Sequence, residues 1–565
     1  MKTHSCNATN MSLRNPAVVM QPQKLGAMHQ NRLSFVRILI RRMANQQWKI
    51  TPTVWNISSQ GYGIAQYRLD TPNQHYHLVV FSNAINDEDR NDRVIAEKWD
   101  VTFALVVGDV DDVLFDQLHN NVPLQEAGRL SSQVLVLARA NKSVRIFNHI
   151  IEKLAQGQQP ETQLLADVGY ILRTTAVYGN GKFGIADFEL LEDNPDLSLS
   201  FSAQMCAVYI LRQFSLDWVH FLAQQQANGN AATLARPLQR YIGIGNATGL
   251  GMAPYLIRHP RIIDQWMTTR ETAIAMAMAN PITSASRLQL VPLLQRAIDH
   301  LQQTTTIDVD QRQLNVAATI ELQVIIEQLT FTAVDNNNWQ DLLAQYHTIS
   351  QETQEILTSC ILELYPEQID MLENNFNADE TLSLSTGIFV SDLISLLQQR
   401  YQWALDIDFY QPLNNYWFWY RSKDKEEPRI GIRGQEAGEE KELALDIARQ
   451  VFFLYQELQR SSPQETLATF LLKQPQYRAI ARRTWTLGQC AMGDIQINIL
   501  DQSTQPIHLL RCKLAMFGAT KFDPRSDRWL RVTFFQGAPL SDELHPDEWL
   551  FPLLPTTTKD IKELP

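Results

Sequence analysis

The chain has 565 residues, of which 45% are hydrophobic and 19% charged, and its formal net charge is −12. That apolar share excludes an intrinsically disordered chain, which is poorer in apolar residues and richer in net charge. The acidic balance argues against a nucleic-acid partner, which demands a basic face to displace counterions from phosphates.

At roughly 150 residues per domain, the length predicts three or four domains or two large ones. The first segment, 1–44, reads as a basic arm, disordered to about residue 30 and then an amphipathic helix with Leu33, Val36 and Ile40 on one side. Residues 1–69 contain no Asp or Glu but carry nine basic residues: Lys2, Arg14, Lys24, Arg32, Arg37, Arg41, Arg42, Lys49 and Arg68. Charge runs are usually solvated or paired faces, so the favoured expectation is a helix lying on an acidic body. The rival expectation is an arm that docks a partner. The apolar run Phe35–Ile40 is short and broken by Arg37, so no secretory signal is expected.

Residues 45–142 read as a strand-rich domain. The stretch 75–82 alternates, 102–107 is a short buried run, and 133–138 repeats that character. His75 and His77, two apart, would share one strand face and could share a metal. With no third ligand at recognisable spacing they read as ordinary strand residues, and no metal ligand is assigned. The string Leu105-Val-Val-Gly-Asp-Val-Asp-Asp-Val-Leu-Phe-Asp116 resembles motif I of the haloacid dehalogenase phosphatases. The resemblance implies Asp109 as nucleophile, Asp111 as general acid/base, and Mg²⁺ held by both. It covers twelve residues and departs from the family at Asp112, where a glycine or small residue is usual. An acidic surface loop after a strand is the more economical reading.

From residue 143 the apolar period becomes helical, with Val144, Phe147, Ile151 and Leu154 on one face and Met205, Val208, Leu211 and Trp218 on another. The segment 143–365 reads as a mainly helical domain, with Pro281 and Pro292 limiting its helices. It holds two glycine-rich polar loops. In Tyr178–Asp187, Gly179, Gly181 and Gly184 surround Lys182, with Arg173 and Thr174 just upstream. Glycines let backbone N–H groups approach an anion, and a lysine adds a point charge. It is not a Walker A loop, because Phe183 stands where Ser or Thr is required. In the second, Gly243, Gly245, Gly249 and Gly251 flank Asn246 and Thr248. The spacing occurs in some nucleotide-binding turns, but Pro254 interrupts the exit and helices follow, unlike a dinucleotide-binding unit.

The last segment, 366–565, reads as a mixed α+β domain with a polar C-terminal tail. Leu443, Ile447, Val451, Leu454 and Leu458 mark a long amphipathic helix; Ile495–Ile499 and Arg531–Phe535 read as strands. The charged stretches Tyr420–Arg433 and Phe517–Arg528 read as solvated or self-paired loops.

Five scattered cysteines, never in a Cys-x-x-Cys pair, fit a reducing compartment, and the expected location is cytoplasmic. No run approaches the ~18 apolar residues of a membrane span. The fold class expected is mixed, of α+β type: a β-rich start, a largely helical middle and a mixed end. The functional expectation is an enzyme acting on a small anionic metabolite. Lys182 and Asp187 are assigned the catalytic work, and Arg173, Thr174, Asn180, Gly181, Gly243, Gly245, Asn246, Thr248 and Gly249 the ligand. Neither the reaction type, the cofactor nor the oligomeric state is legible. The alternatives are a non-catalytic binding or scaffold protein that uses the basic arm and, more narrowly, the Mg²⁺-dependent phosphatase.

Overall fold

The computed structural model describes residues 13–20, 30–85, 99–121, 132–177, 191, 193–246, 260–304, 309–331, 338–346, 348–376, 382–411, 417–422, 428–432, 439–442, 444–494, 514–520, 523–526, 529–547 and 549–555. Its strands are β1 Lys49–Ile57, β2 Gly63–Asp70, β3 His75–Ser82, β4 Val101–Val107, β5 Val134–Lys142, β6 Tyr170–Thr174, β7 Gly243–Asn246, β8 Trp417–Ser422, β9 Pro428–Ile432, β10 Glu439–Glu442, β11 Asp523–Ser526 and β12 Trp529–Phe534. The helices of nine or more residues are α1 Phe35–Asn45, α2 Asp112–Asn121, α3 Phe147–Ala155, α4 Ser202–Gln226, α5 Pro260–Met278, α6 Ser284–Gln303, α7 Val309–Phe331, α8 Gln351–Leu362, α9 Val390–Arg400, α10 Ala444–Gln459 and α11 Arg478–Gly488.

Nine strands form one sheet in the order β1-β2-β3-β4-β5-β6-β7-β12-β11. The first six are joined antiparallel, neighbour to neighbour. β6 and β7 pair in parallel, because the crossover between them contains α4. The sheet takes β1–β5 from the segment 45–142, β6 and β7 from 143–365, and β11 and β12 from 366–565, so the three segments meet in it. The fold is of the mixed α+β class.

β3 and β4 carry apolar residues on both faces. Tyr76, Leu78, Val80, Phe103 and Leu105 face the main core. Val79, Phe81, Ala104 and Val106 face a smaller cluster closed by Leu114 and Leu118 of α2. Covering both faces turns an alternating strand into a near-continuous apolar run. On the main-core side lies α4, buried along most of its 25 residues, as expected of a helix without a polar face. It touches α1, α3 and strands β3 to β7.

α1 lies deeper than an amphipathic arm would. Phe35 meets Phe201, Phe376 and Phe517, with ring centroids 5.2, 5.8 and 5.4 Å away. Arg37 and Arg41 on it, and Arg32 just before it, are buried too. Arg32, Arg37 and Arg41 pair with Glu363, Asp370, Glu373 and Asp547. The favoured reading, a helix on an acidic body, describes this contact.

Three local expectations are corrected. Residues 13–20 are ordered: Val19 and Met20 are buried, and Arg14 binds Glu271 and Glu355 at 2.7 and 2.9 Å. Apolar burial and two carboxylates offset the ordering entropy that composition alone would leave unopposed. Val144 lies outside α3 and is exposed, since the helix begins at Phe147. Pro292 does not end a helix but sits inside α6, on its exposed side, where water can satisfy the backbone carbonyl that loses its partner. The strand expected at 495–499 lies outside the described residues, whereas β3, β5, α10 and β12 fall where the apolar patterns put them. Two charged stretches contain strands as well as loop: 417–422 pairs with 428–432, and 523–526 pairs with β12.

Candidate functional site

β6 and β7 lie side by side, with Arg173 opposite Gly245 and Thr174 opposite Asn246. Because the two strands run the same way, their carboxyl ends, at Thr174 and Asn246, lie side by side; in sequence the segments 178–190 and 247–259 come after them. Lys182, Asp187, Asn180, Gly181, Thr248 and Gly249 lie in those segments, outside the described residues. The other five site residues are placed. All are buried within the sheet, and they form a continuous patch across β6 and β7.

The local reasons for that patch are partly architectural. A Cβ on Gly243 would overlap the backbone oxygen of Phe534 on β12, and one on Gly245 would stand 2.7 Å from the Tyr170 ring. Both glycines therefore let neighbours close up, whatever else they do. The Thr174 hydroxyl donates to the Arg139 carbonyl at 2.9 Å and accepts from Ala176 N at 3.1 Å. Asn246, fully buried, donates to the Thr174 carbonyl at 3.4 Å and so ties β7 to β6. Beneath β7, Arg212 of α4 donates to the carbonyls of Gln239, Arg240, Ile242, Ala538 and Pro539, at 2.7 to 3.1 Å. Burial pulls its guanidinium down to about 10, and the bonds hold the turn that leads into β7.

A second constellation lies at the other end of the strands. His75 Nε2 is 2.9 Å from Asp109 Oδ1, and His77 Nδ1 is 2.8 Å from the Gly108 carbonyl. One ligand atom from each of His75, His77 and Asp109 lies within 4.8 Å of the others. Asp111 is occupied differently: its carboxylate accepts from Leu114 N at 2.7 Å, the work of a helix N-cap at the start of α2. The sequence offered the histidine pair and the aspartate separately. What joins them is the antiparallel register of β3 with β4, which returns residue 109 to the start of β3.

The two places are distinct. Thr174, Ala140, Val101 and Ser82 form one row across the sheet. Ser82 stands seven residues along β3 from His75, a rise of roughly 23 Å.

No helix among the described residues is long and apolar enough to cross a membrane. Compared with family models, with characterised proteins and with solved structures, the chain shows no match.

Proposed function

We propose that the protein is an enzyme that binds a small phosphate- or carboxylate-bearing metabolite where β6 and β7 end. One observation carries the reading: β6 and β7 pair in parallel, so their carboxyl ends, at Thr174 and Asn246, lie side by side. In sheets with parallel strands, ligands are bound beyond the carboxyl ends of those strands, where connections diverge. Arg173 and Lys182 supply positive charge, and the backbone around Asn180, Gly181, Thr248 and Gly249 supplies N–H donors. Beneath them Asn246 ties β7 to β6 and the Thr174 hydroxyl ties β6 to β5, and Asp187 is the general acid or base.

The test is a thermal-shift screen of the whole chain against inorganic phosphate, phosphate esters, nucleotides and carboxylates, with Lys182→Ala alongside. A ligand at 100 times its Kd stabilises by about 2.7 kcal/mol, enough to move the melting midpoint. The expected result is an upward shift in the wild type that Lys182→Ala loses while melting normally without ligand. Equal shifts in both proteins, or none with any anion, would remove the proposal.

A further inference from the structure

We infer that His75, His77 and Asp109 form a binding site for a divalent transition-metal ion of the Zn²⁺ class, separate from the proposed anion site. The strand period of two sets His75 and His77 on the same face of β3. It is the face that carries Val79 and Phe81 into the cluster under α2, so the histidines continue that stripe to the end of the sheet. The third group arrives through a turn. Gly108 adopts φ +77°, a left-handed conformation that a side chain resists, and the chain swings there from β4 so that Asp109 reaches His75.

The hydrogen bonds prepare the ligands. The Gly108 carbonyl can only accept, so His77 Nδ1 carries the proton and donates at 2.8 Å. In that tautomer Nε2 is the nitrogen left to a metal, the arrangement in which an outer carbonyl fixes a metal-binding imidazole. His77 is buried, which holds the ring in place; the His75 side chain is 28% exposed and that of Asp109 81%, which leaves an entry path from solvent. In a tetrahedral centre with bonds of about 2.0–2.1 Å, ligand atoms stand roughly 3.3 Å apart. The present spread, 2.9 Å for His75–Asp109 and at most 4.8 Å for one ligand atom from each residue, lies near that arrangement.

The donor set selects the ion. Two imidazoles and one carboxylate suit Zn²⁺ and its first-row neighbours; all-oxygen sets suit Mg²⁺ and Ca²⁺. Three protein ligands leave a fourth position for water, as in open zinc sites. The register-paired residues of β2 add a mixed surround: Asp70 lies opposite His75, Arg68 opposite His77, and the two are joined at 2.8 Å.

The experiment is a titration of the full chain, stripped by a chelator, with Zn²⁺ and separately with Mg²⁺, followed by calorimetry. Co²⁺ substitution, read by visible absorption, reports the coordination number. Asp109→Asn is the principal variant, since its side chain is exposed and takes no part in the core, and His75→Ala is the second; melting curves check both. The expected result is one Zn²⁺ per chain, with affinity at least about tenfold weaker in either variant, no comparable Mg²⁺ binding, and a four- or five-coordinate Co²⁺ spectrum. Zn²⁺ affinity unchanged in folded Asp109→Asn, or a preference for Mg²⁺, would overturn the assignment. Lys182→Ala should bind Zn²⁺ as the wild type does, so failure here and failure at β6–β7 are told apart.

Discussion

Around α1, the arginines are buried beside carboxylates; in the middle of α4, Arg212 is buried among carbonyls. Glu363 accepts from both Arg32 and Arg37, and Asp370 and Glu373 complete the set. Arg212 has five backbone oxygens from two separate segments, 239–242 and 538–539, and no carboxylate among the described residues bonded to it. Both arrangements set acceptors around a guanidinium removed from water, but by different means. Carboxylates neutralise charge and can themselves be protonated. Carbonyls offer only dipoles and do not titrate; burial pulls Arg212 down to about 10, and it pulls Arg41 down as well despite Glu373. One region is therefore exposed to acid and the other is not.

The sharpest way to break this contrast is Arg212→Met. Five carbonyls lose their donor at once, and at about 1 kcal/mol for each group left unmatched the loss is on the order of 5 kcal/mol. Urea unfolding should show it, with Arg212→Lys recovering only part, because an ammonium has three donors rather than five. A variant within 1 kcal/mol of wild type by the same measure would mean that water replaces the guanidinium and that the carbonyl cage holds nothing.

A smaller effect, with a pH signature, is expected at Glu363. Burial pushes its carboxyl up, but Arg37 and Arg32 overcome that and hold it at about 2, against an ordinary value of 4.5. A depressed carboxylate contributes stability above its unfolded value and loses it as pH falls towards the folded value. The shift corresponds to about 3 kcal/mol, lost between pH 4.5 and pH 2. Glu363→Gln should cost a similar amount at neutral pH and flatten that part of the acid limb, whereas Arg212→Met should leave the limb's shape unchanged. Parallel limbs in wild type and Glu363→Gln would show that other groups set the acid response.

The smallest effect is expected from Arg14→Ala. Its side chain is 35% exposed, and Arg270 remains beside both Glu271 and Glu355 after it is gone. About 1 kcal/mol is expected from equilibrium unfolding. A loss of 3 kcal/mol or more would place residues 13–20 among the elements that the core depends on.

The paired arginines were half legible. Nine basic residues without an acid before Asp70 pointed to an acidic counterface, and most of it lies at 355–373, with Glu271 and Asp547 besides; which carboxylate meets which arginine depends on folding across more than 250 residues. Arg212 carried no such signal, since its partners are backbone atoms that no side-chain pattern announces. The same division holds at the two sites. β3 and β4 were readable because alternation and apolar runs are local, but the meeting of His75 with Asp109 depends on register and on the φ of Gly108. The neighbouring placement of β6 and β7 was not readable at all, because parallel pairing across a helical crossover leaves no mark in either short strand. Gly243 and Gly245 looked like loop chemistry and are at least partly close packing, a use of glycine that only the third dimension reveals.

The place of β12 in the sheet bears on how the chain is made. β7 ends at residue 246 and its neighbour begins at 529, an interval of 283 residues. At about 5–20 residues per second a ribosome needs roughly 15–60 s to cross it. For that time β7 offers an open edge to any extended segment nearby, and α1 waits as well for carboxylates not yet synthesised. Newborn chains should therefore depend on chaperones until the last tenth of the sequence emerges, and truncations before residue 529 should aggregate.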